Sequence, residues 1–199
     1  MAFTFFFRDL QTLEYVVDEL IPRVAGRSKI KIWDAGCASG EEPFTLAILL
    51  AEKMGQFSFK NIEIHATDID ISNQFGEIIL NGIYPYDILQ RIPKPLFEKY
   101  FDKIDDKNYQ INYKIRSKII FKREDLTQLK PSDNDFSLII CKNVLLHLSP
   151  AQREEVISMF HKSLMPNGIL ATEQTQKMPD KLSDKFVPIS THAQIFEKR

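Results

Sequence analysis

The sequence predicts an α/β protein with a doubly wound, mostly parallel sheet and a small antiparallel β insertion. Three observations carry that expectation. Short apolar runs alternate with longer segments of helical periodicity, the pattern of strand–helix–strand units. Phe136 to Cys141 is almost wholly apolar, as a strand buried on both faces of a parallel sheet must be. A Gly-containing turn follows the first strand and leads straight into a helix, so a loop stands at a strand's carboxyl end, where open α/β sheets bind ligands.

Each element has its own signal. Lys29 to Trp33 alternates polar and apolar residues and reads as a strand, ending in Asp34-Ala-Gly-Cys-Ala-Ser-Gly40. Glu41-Glu42-Pro43 opens an apolar helix to about Met54, with acids in its first turn, Pro near N1 and Gly55 past its end. Ile62 to Ala66 is a second strand, running into Thr67-Asp-Ile-Asp70. Ser72 to Leu80 predicts a short helix closed by Asn81-Gly82. Lys118 to Phe121 predicts a strand followed by Glu124-Asp-Leu126, and Phe136 to Cys141 the buried one. Ser149 as N-cap, Pro150 at N1 and Gln152 at N3 make a capping-box start for a helix to about Leu164. Pro166-Asn-Gly168 breaks it before a strand at Ile169 to Thr172, and Ala193 to Phe196 is the last strand. Residues 83–117 fall outside this alternation. They carry Pro85, Pro93 and Pro95, and Tyr109 to Ile115 alternates like a half-exposed antiparallel strand. Between positions 94 and 123 nine Lys/Arg stand against four acids, which marks an insertion with a basic surface within one domain spanning 1–199.

Composition narrows the function. A length of 199 residues suits one domain with a small subdomain. With 26 Lys+Arg against 27 Asp+Glu, the chain lacks the overall basic field that holds nucleic acid. Its longest apolar stretch, Phe44 to Ala51, is far short of the ~20 residues that span a bilayer, so no membrane insertion is expected. Met1 to Phe7 has no basic leader, and Arg8-Asp9 ends it too soon for a secretory signal. Two cysteines make no disulfide framework, so a cytoplasmic location is expected. His65, His147, His161 and His192 show no ligand spacing with one another or with Cys37 and Cys141, so no metal site is expected.

Asp34-Ala-Gly36, Asp68, Asp125-Leu126 and Cys141-Lys-Asn143 each follow a predicted strand and should line one crevice. Gly36 and Gly40 have neither the dinucleotide nor the phosphate-loop spacing. A helix N-terminus favours anions, but Glu41 and Glu42 already supply negative charge there. The expected ligand therefore carries a cation and hydroxyls, and Asp68 can accept hydrogen bonds from a ribose diol. S-adenosylmethionine, with S-adenosylhomocysteine as product, is that combination.

Five motifs in order strengthen this reading. They are Thr4-Phe-Phe-Phe-Arg8-Asp9, Trp33-Asp-Ala-Gly-Cys-Ala-Ser-Gly-Glu-Glu-Pro43, Ala66-Thr-Asp-Ile-Asp70, Gly82-Ile-Tyr84 and Cys141-Lys-Asn-Val-Leu-Leu146. Together they resemble the CheR-type chemotaxis protein methyltransferases, from about Thr4 to the C-terminus. The resemblance implies a Rossmann-like methyltransferase fold and methyl transfer to glutamate carboxylates of a chemoreceptor-like protein. It implies that Thr4 and Arg8 meet the methionine end of the cofactor, facing the same way if helical, with the guanidinium on its carboxylate. It further implies Glu41 on the amino group and close backbone approach at Ala35 and Gly36. Asp68 would take the ribose hydroxyls, Ile69 would pack on the adenine, Asp125-Leu126 would stand beside it where the family has Asn-Leu, and Cys141 joins the cofactor-binding set.

The chain departs from the family at the acceptor side. Where the family usually has Arg-Asn-Val-x-x-Tyr near the transferred methyl, this sequence has Lys142-Asn-Val-Leu-Leu-His147, and Lys142 and His147 are the candidate catalytic residues. Lys142 can attract a carboxylate as a point charge, and His147 can donate a hydrogen bond or serve as a base. A glutamate acceptor, with pKa ≈ 4.3, is already ionised and needs only in-line positioning. The family normally carries an N-terminal helical domain, whereas this sequence opens at the cofactor motif. The insertion's Asp102 to Asn108 also lacks the glycine of receptor-tethered members. The expected partner is thus an acidic helical receptor or signalling protein, met directly by the basic 94–123 segment. Two alternatives stand beside this: methylation of a small molecule or amine with His147 as base, and a cofactor-binding regulatory module without turnover.

Overall fold

The computed structural model describes residues 4–175 and 177–199. Seven strands build the main sheet: β1 (Ile30–Ala35), β2 (Ile62–Asp68), β6 (Ile119–Arg123), β7 (Phe136–Cys141), β8 (Leu164–Thr172), β9 (Phe186–Pro188) and β10 (Ile195–Lys198). Their order is β6-β2-β1-β7-β8-β10-β9, parallel from β6 to β8, with β10 antiparallel to both its neighbours. The order reverses between β1 and β7, a topological switch point. A second sheet, β3 (Ile83–Pro85), β5 (Asn108–Ile111) and β4 (Phe101–Lys103), is the antiparallel insertion.

Strand alternation divides the core in two. Ile30, Ile32, Leu138 and Ile140 face one side, under α1 (Leu10–Arg23) and α2 (Glu41–Lys53). Trp33, Ala35, Ile139 and Cys141 face the other, under α8 (Pro150–Ser163). β7 is buried throughout, as its apolar run requires. Trp33 lies edge-on to Phe160 at 5.2 Å and donates its indole N–H to Thr67 Oγ1 at 2.8 Å, so the one buried indole has its partner. The capping box of α8 is formed: Gln152 N–H donates to Ser149 Oγ at 3.3 Å and Ser149 N–H to Gln152 Oε1 at 3.1 Å.

Several boundaries differ from those read in the sequence. Thr4 to Asp9 is a turn rather than a helix, with Phe7 and Asp9 both at positive φ. Helix α1 had no clear capping signal, and it forms because Leu13, Val16, Val17 and Leu20 share a buried stripe. Helix α4 (Phe75–Asn81) starts later than Ser72 because the Asp70 carboxylate accepts the N–H groups of Gln74 and Phe75 at 3.0 and 3.1 Å. The alternation of 109–115 holds only to Ile111. Asn112 then caps α7 (Tyr113–Arg116), whose single turn brings Ile115 into the same core as Ile111. Pro166-Asn-Gly168 does not interrupt β8 but forms a bulge inside it, where the register with β7 shifts. The connection from β6 to β7 holds no α-helix, which leaves Ile120 exposed on the sheet face there. On that face Glu63, His65 and Asp133 come together, which spacing along the chain did not indicate. Lys29 and Lys31 already pair with the two carboxylates at 3.1 and 3.0 Å.

Candidate active site

The carboxyl ends of β1, β2, β6 and β7 open into a cleft of about 740 Å³. The β1 loop is stitched to the end of β2: Gly36 and Cys37 donate their N–H groups to Thr67 O at 2.7 and 3.0 Å, and Ala38 N–H reaches Asp68 Oδ2 at 3.0 Å. Asp68 Oδ1 accepts from Asp70 N–H at 2.8 Å, so one carboxylate holds both loops. Gly36 sits at φ +98, and a Cβ there would overlap the Val144 side chain. The neighbouring loop thus adds a packing reason for glycine here beside its place on the cleft. Gly40, at φ +99, is the N-cap of α2, and a Cβ there would crowd Ile79 and Tyr84.

Thr4, Arg8, Gly36, Asp68, Ile69, Asp125, Leu126, Lys142 and His147 all line this cleft. Three other residues of the sequence-derived set do not. Ala35 and Cys141 follow the strand alternation into the core beneath α8. Burial pushes the Cys141 thiol pKa well up, which keeps it neutral. The Glu41 carboxylate turns aside and accepts from Ser39 Oγ at 2.9 and 2.8 Å, while Tyr84 OH donates to Ser39 O at 2.6 Å.

Glu42 takes the lining position instead. Burial raises its carboxyl to about pKa 7; Lys142 and Arg8 pull it down, and Asp9 pushes it up. Lys142 Nζ is 2.7 Å from Asp9 Oδ2 with its side chain only 4% exposed, so the lysine is committed to this cluster. Arg8 donates to Asn143 Oδ1 at 3.2 Å. Beneath them Asp34 is 1% exposed, and among the described residues neither carboxylate oxygen has a hydrogen-bond partner. Burial first, and then Glu42, raise its pKa well above the usual range. An orphaned buried acid beside a second acid on the wall makes one end of the cleft suited to a cation. Asp34 shares strand alternation with Ile30 and Ile32, so an acid on the core face was visible in the sequence. Nothing in Glu41-Glu42-Pro43 says which acid turns inward.

The strand ends of β2 and β6 add the apolar side chains of Ile69, Ile71 and Leu126 to the cleft, beside the carboxylates of Glu124 and Asp125. Asp125 Oδ1 there accepts from the Thr127 N–H at 2.9 Å and Oγ1 at 2.7 Å, and so closes a 3-10 turn. The mouth is formed by the 142–148 loop, with Leu146 and His147 exposed. Arg153 from α8 holds this loop through the carbonyls of Leu145 and Leu148 at 3.2 and 3.3 Å. Glu173, buried past the end of β8, faces the same loop near Arg153. A cationic amino acid end, a diol and an adenine match these features in turn. The residues therefore fit S-adenosylmethionine.

A family model described as the CheR methyltransferase SAM binding domain matches residues 2–195. The chain is 30% identical over 200 residues to a chemotaxis protein methyltransferase of Borreliella burgdorferi, covering 95% of this chain and 69% of that one. It is 27% identical over 197 residues to a chemotaxis protein methyltransferase of Vibrio parahaemolyticus, covering 98% and 71%. Among solved structures, PKMT2 from Rickettsia typhi in complex with AdoHcy superposes with a TM-score of 0.50 at 16% identity, over 86% of this chain and 26% of that one, a likeness of fold. A match along nearly the whole length leaves one conclusion: the chain belongs to the CheR methyltransferases, and its reaction is methyl transfer from S-adenosylmethionine.

Proposed function

We propose that this protein methylates glutamate carboxylates of a chemoreceptor-like signalling protein in the cytoplasm, where its two buried cysteines stay as free thiols. One observation carries the choice of acceptor. Neither candidate catalytic residue is set up as a base. Lys142 is held in an ion pair with Asp9 at 2.7 Å, and among the described residues no side chain hydrogen-bonds the His147 imidazole to orient it. An amine acceptor must lose a proton, whereas a glutamate arrives ionised. A mouth with no poised base suits the carboxylate.

When bound, S-adenosylmethionine supplies an electrophilic methyl on a sulfonium. The chain's own groups then do the positioning. Glu42, backed by Asp34, receives the ammonium of the methionine end, and Arg8 its carboxylate. Asp68 takes the ribose hydroxyls, while Ile69 and Leu126 flank the adenine. Lys142 offsets Asp9, Asp34 and Glu42, which keeps this acidic wall from repelling an anionic acceptor. His147 at the lip donates a hydrogen bond to the acceptor oxygen that is not attacking. The experiment is incubation with methyl-labelled S-adenosylmethionine and the cytoplasmic fragment of a chemoreceptor, read by mass spectrometry. Methyl esters on glutamates that alkali removes are expected; alkali-stable N-methyl groups would overturn the acceptor assignment.

A further inference from the structure

At the amino ends of the strands, the opposite end of the sheet from the cleft, α3 (Gln56–Phe59), α7 and the start of β6 border an open groove of about 420 Å³. Three ammonium groups surround it. Lys114 Nζ and Lys118 Nζ stand 5.7 and 5.4 Å from the Phe59 ring centroid, and Lys118 Nζ donates to Lys60 O at 2.8 Å. Lys60 Nζ lies 5.5 Å from the Phe57 ring. Among the described residues none of the three closes an ion pair with a carboxylate, whereas Lys29, Lys31, Lys53 and Lys99 all do. Phe57 and Tyr113 are 84% and 75% exposed beside them.

Lys60 and Lys118 have no carboxylate within ion-pair distance among the described residues, and Lys114 has only the longer-range attraction of Glu52, which Lys99 already pairs at 2.6 Å, so this surface suits an anionic partner. The surroundings choose its kind. Among the described residues that line it there is no guanidinium and no glycine, and the Asn112 side chain already accepts the Ile115 N–H at the start of α7. Phosphate-binding devices are therefore missing. Large exposed aromatic rings next to lysine ammoniums instead match a protein contact that is apolar at its centre and charged around it. The cationic surface also continues toward the chemistry. β6 is an edge strand of the main sheet and carries Lys122, which pairs with Glu124 at 3.7 Å, and Arg123 toward the cleft, where Arg123 Nε donates to Ile69 O at 2.9 Å. From Lys118 to Arg123 an extended strand spans roughly 17 Å, the length of about eleven helical residues.

We infer that this edge docks an acidic, amphipathic helical segment of the methyl-accepting protein. Its carboxylates meet Lys60, Lys114 and Lys118, its apolar residues cover Phe57 and Tyr113, and its axis follows β6 toward the cleft. The inference rests on the protein-carboxylate reading above. The binding probe is a fluorescein-labelled helical peptide of about 20 residues with glutamates on one face and leucines on the other, read by anisotropy at low and high salt. Expected are salt-sensitive binding and a loss of at least about tenfold in the K60E/K114E/K118E variant, since charge-pair couplings of this kind exceed 1.4 kcal/mol. The same variant should bind S-adenosylhomocysteine as the parent protein does and keep its Tm. Unchanged peptide affinity in the variant would overturn the docking site. So would displacement of the peptide by inorganic phosphate or ATP at concentrations far below those of other salts. Methyl transfer to the receptor fragment separates the two claims. Ester formation with an unchanged KM in the triple variant defeats the docking surface alone; absence of ester with the parent protein defeats the acceptor reading, while the peptide titration still reports on the surface.

Discussion

At the residue scale the distinguishing feature is Glu42, an acid held at about pKa 7 on the wall of a cofactor cleft. A bound ammonium favours its ionised form, so ligand binding must release a proton where Glu42 is protonated. Affinity for S-adenosylhomocysteine should therefore rise roughly eightfold between pH 6 and pH 7.5, the gain for a group of pKa about 7 that binds only when charged. Glu42→Gln should remove that slope and weaken binding by about tenfold or more at neutral pH. Glu41→Gln should leave both nearly unchanged, because Glu41 faces Ser39. Stability carries the opposite sign. The native pKa lies above the usual 4.5, so the free protein holds the proton more tightly than the unfolded chain does. The Glu42 contribution to stability is thus present below pH 4.5 and lost as pH rises toward about 7. Thermal melts of the parent and Glu42→Gln proteins should show the variant gaining on the parent across that window; a constant Tm difference would contradict the assignment. Asp68→Ala and Arg8→Ala should each weaken cofactor binding at least about tenfold by calorimetry, as loss of a charged hydrogen bond does. Much of this site was legible because seven of the nine sequence-derived residues that line the cleft stand at or just after strand ends, while Thr4 and Arg8 come from the turn before α1. The choice between adjacent Glu41 and Glu42 was not legible, since it depends on the twist of a single N-cap, Gly40.

At the element scale the sequence spoke most clearly where local chemistry acts alone. The Ser149-Pro150-Gln152 start of α8 and the apolar run of β7 are local signals, and both elements form with those boundaries. Ser149→Ala should cost about 1 kcal/mol, visible as a lower Tm with cofactor affinity intact. Signals failed where tertiary contacts decide. The chain after Ile111 turns helical because the shared core captures Ile115, and α1 forms because its stripe meets α2. The loop after β1 is the element most sensitive to a single methyl group. Gly36→Ala forces a side chain into φ +98 and into Val144, a strain of order 1–3 kcal/mol from the backbone alone. Adding Val144→Ala should restore part of the lost stability, because it relieves the overlap but not the backbone. Full restoration would mean that φ carries no penalty there.

At the scale of the whole molecule the antiparallel insertion shares its core with the main sheet. Tyr84, Tyr100, Phe101 and Ile111 belong to the same buried cluster as α2, and Phe6 packs edge-on to Tyr84 and Phe101 at 5.0 and 5.6 Å. One cooperative transition is expected in urea, with Trp33 fluorescence, which reports the core under α8, coinciding with tyrosine signals from the other core. Two separated transitions would make the insertion an independent unit. The near-zero net charge of −1 hides a separation by place: an acidic cofactor wall at the carboxyl ends of the strands and the Lys60, Lys114 and Lys118 cluster at their amino ends. The most direct measurement of the account is calorimetric titration of S-adenosylhomocysteine into the parent and Glu42→Gln proteins at pH 6 and pH 7.5. The account predicts one site per chain in the parent, tighter at the higher pH, and weaker, pH-independent binding in the variant. No measurable heat of binding in the parent protein at either pH would contradict it.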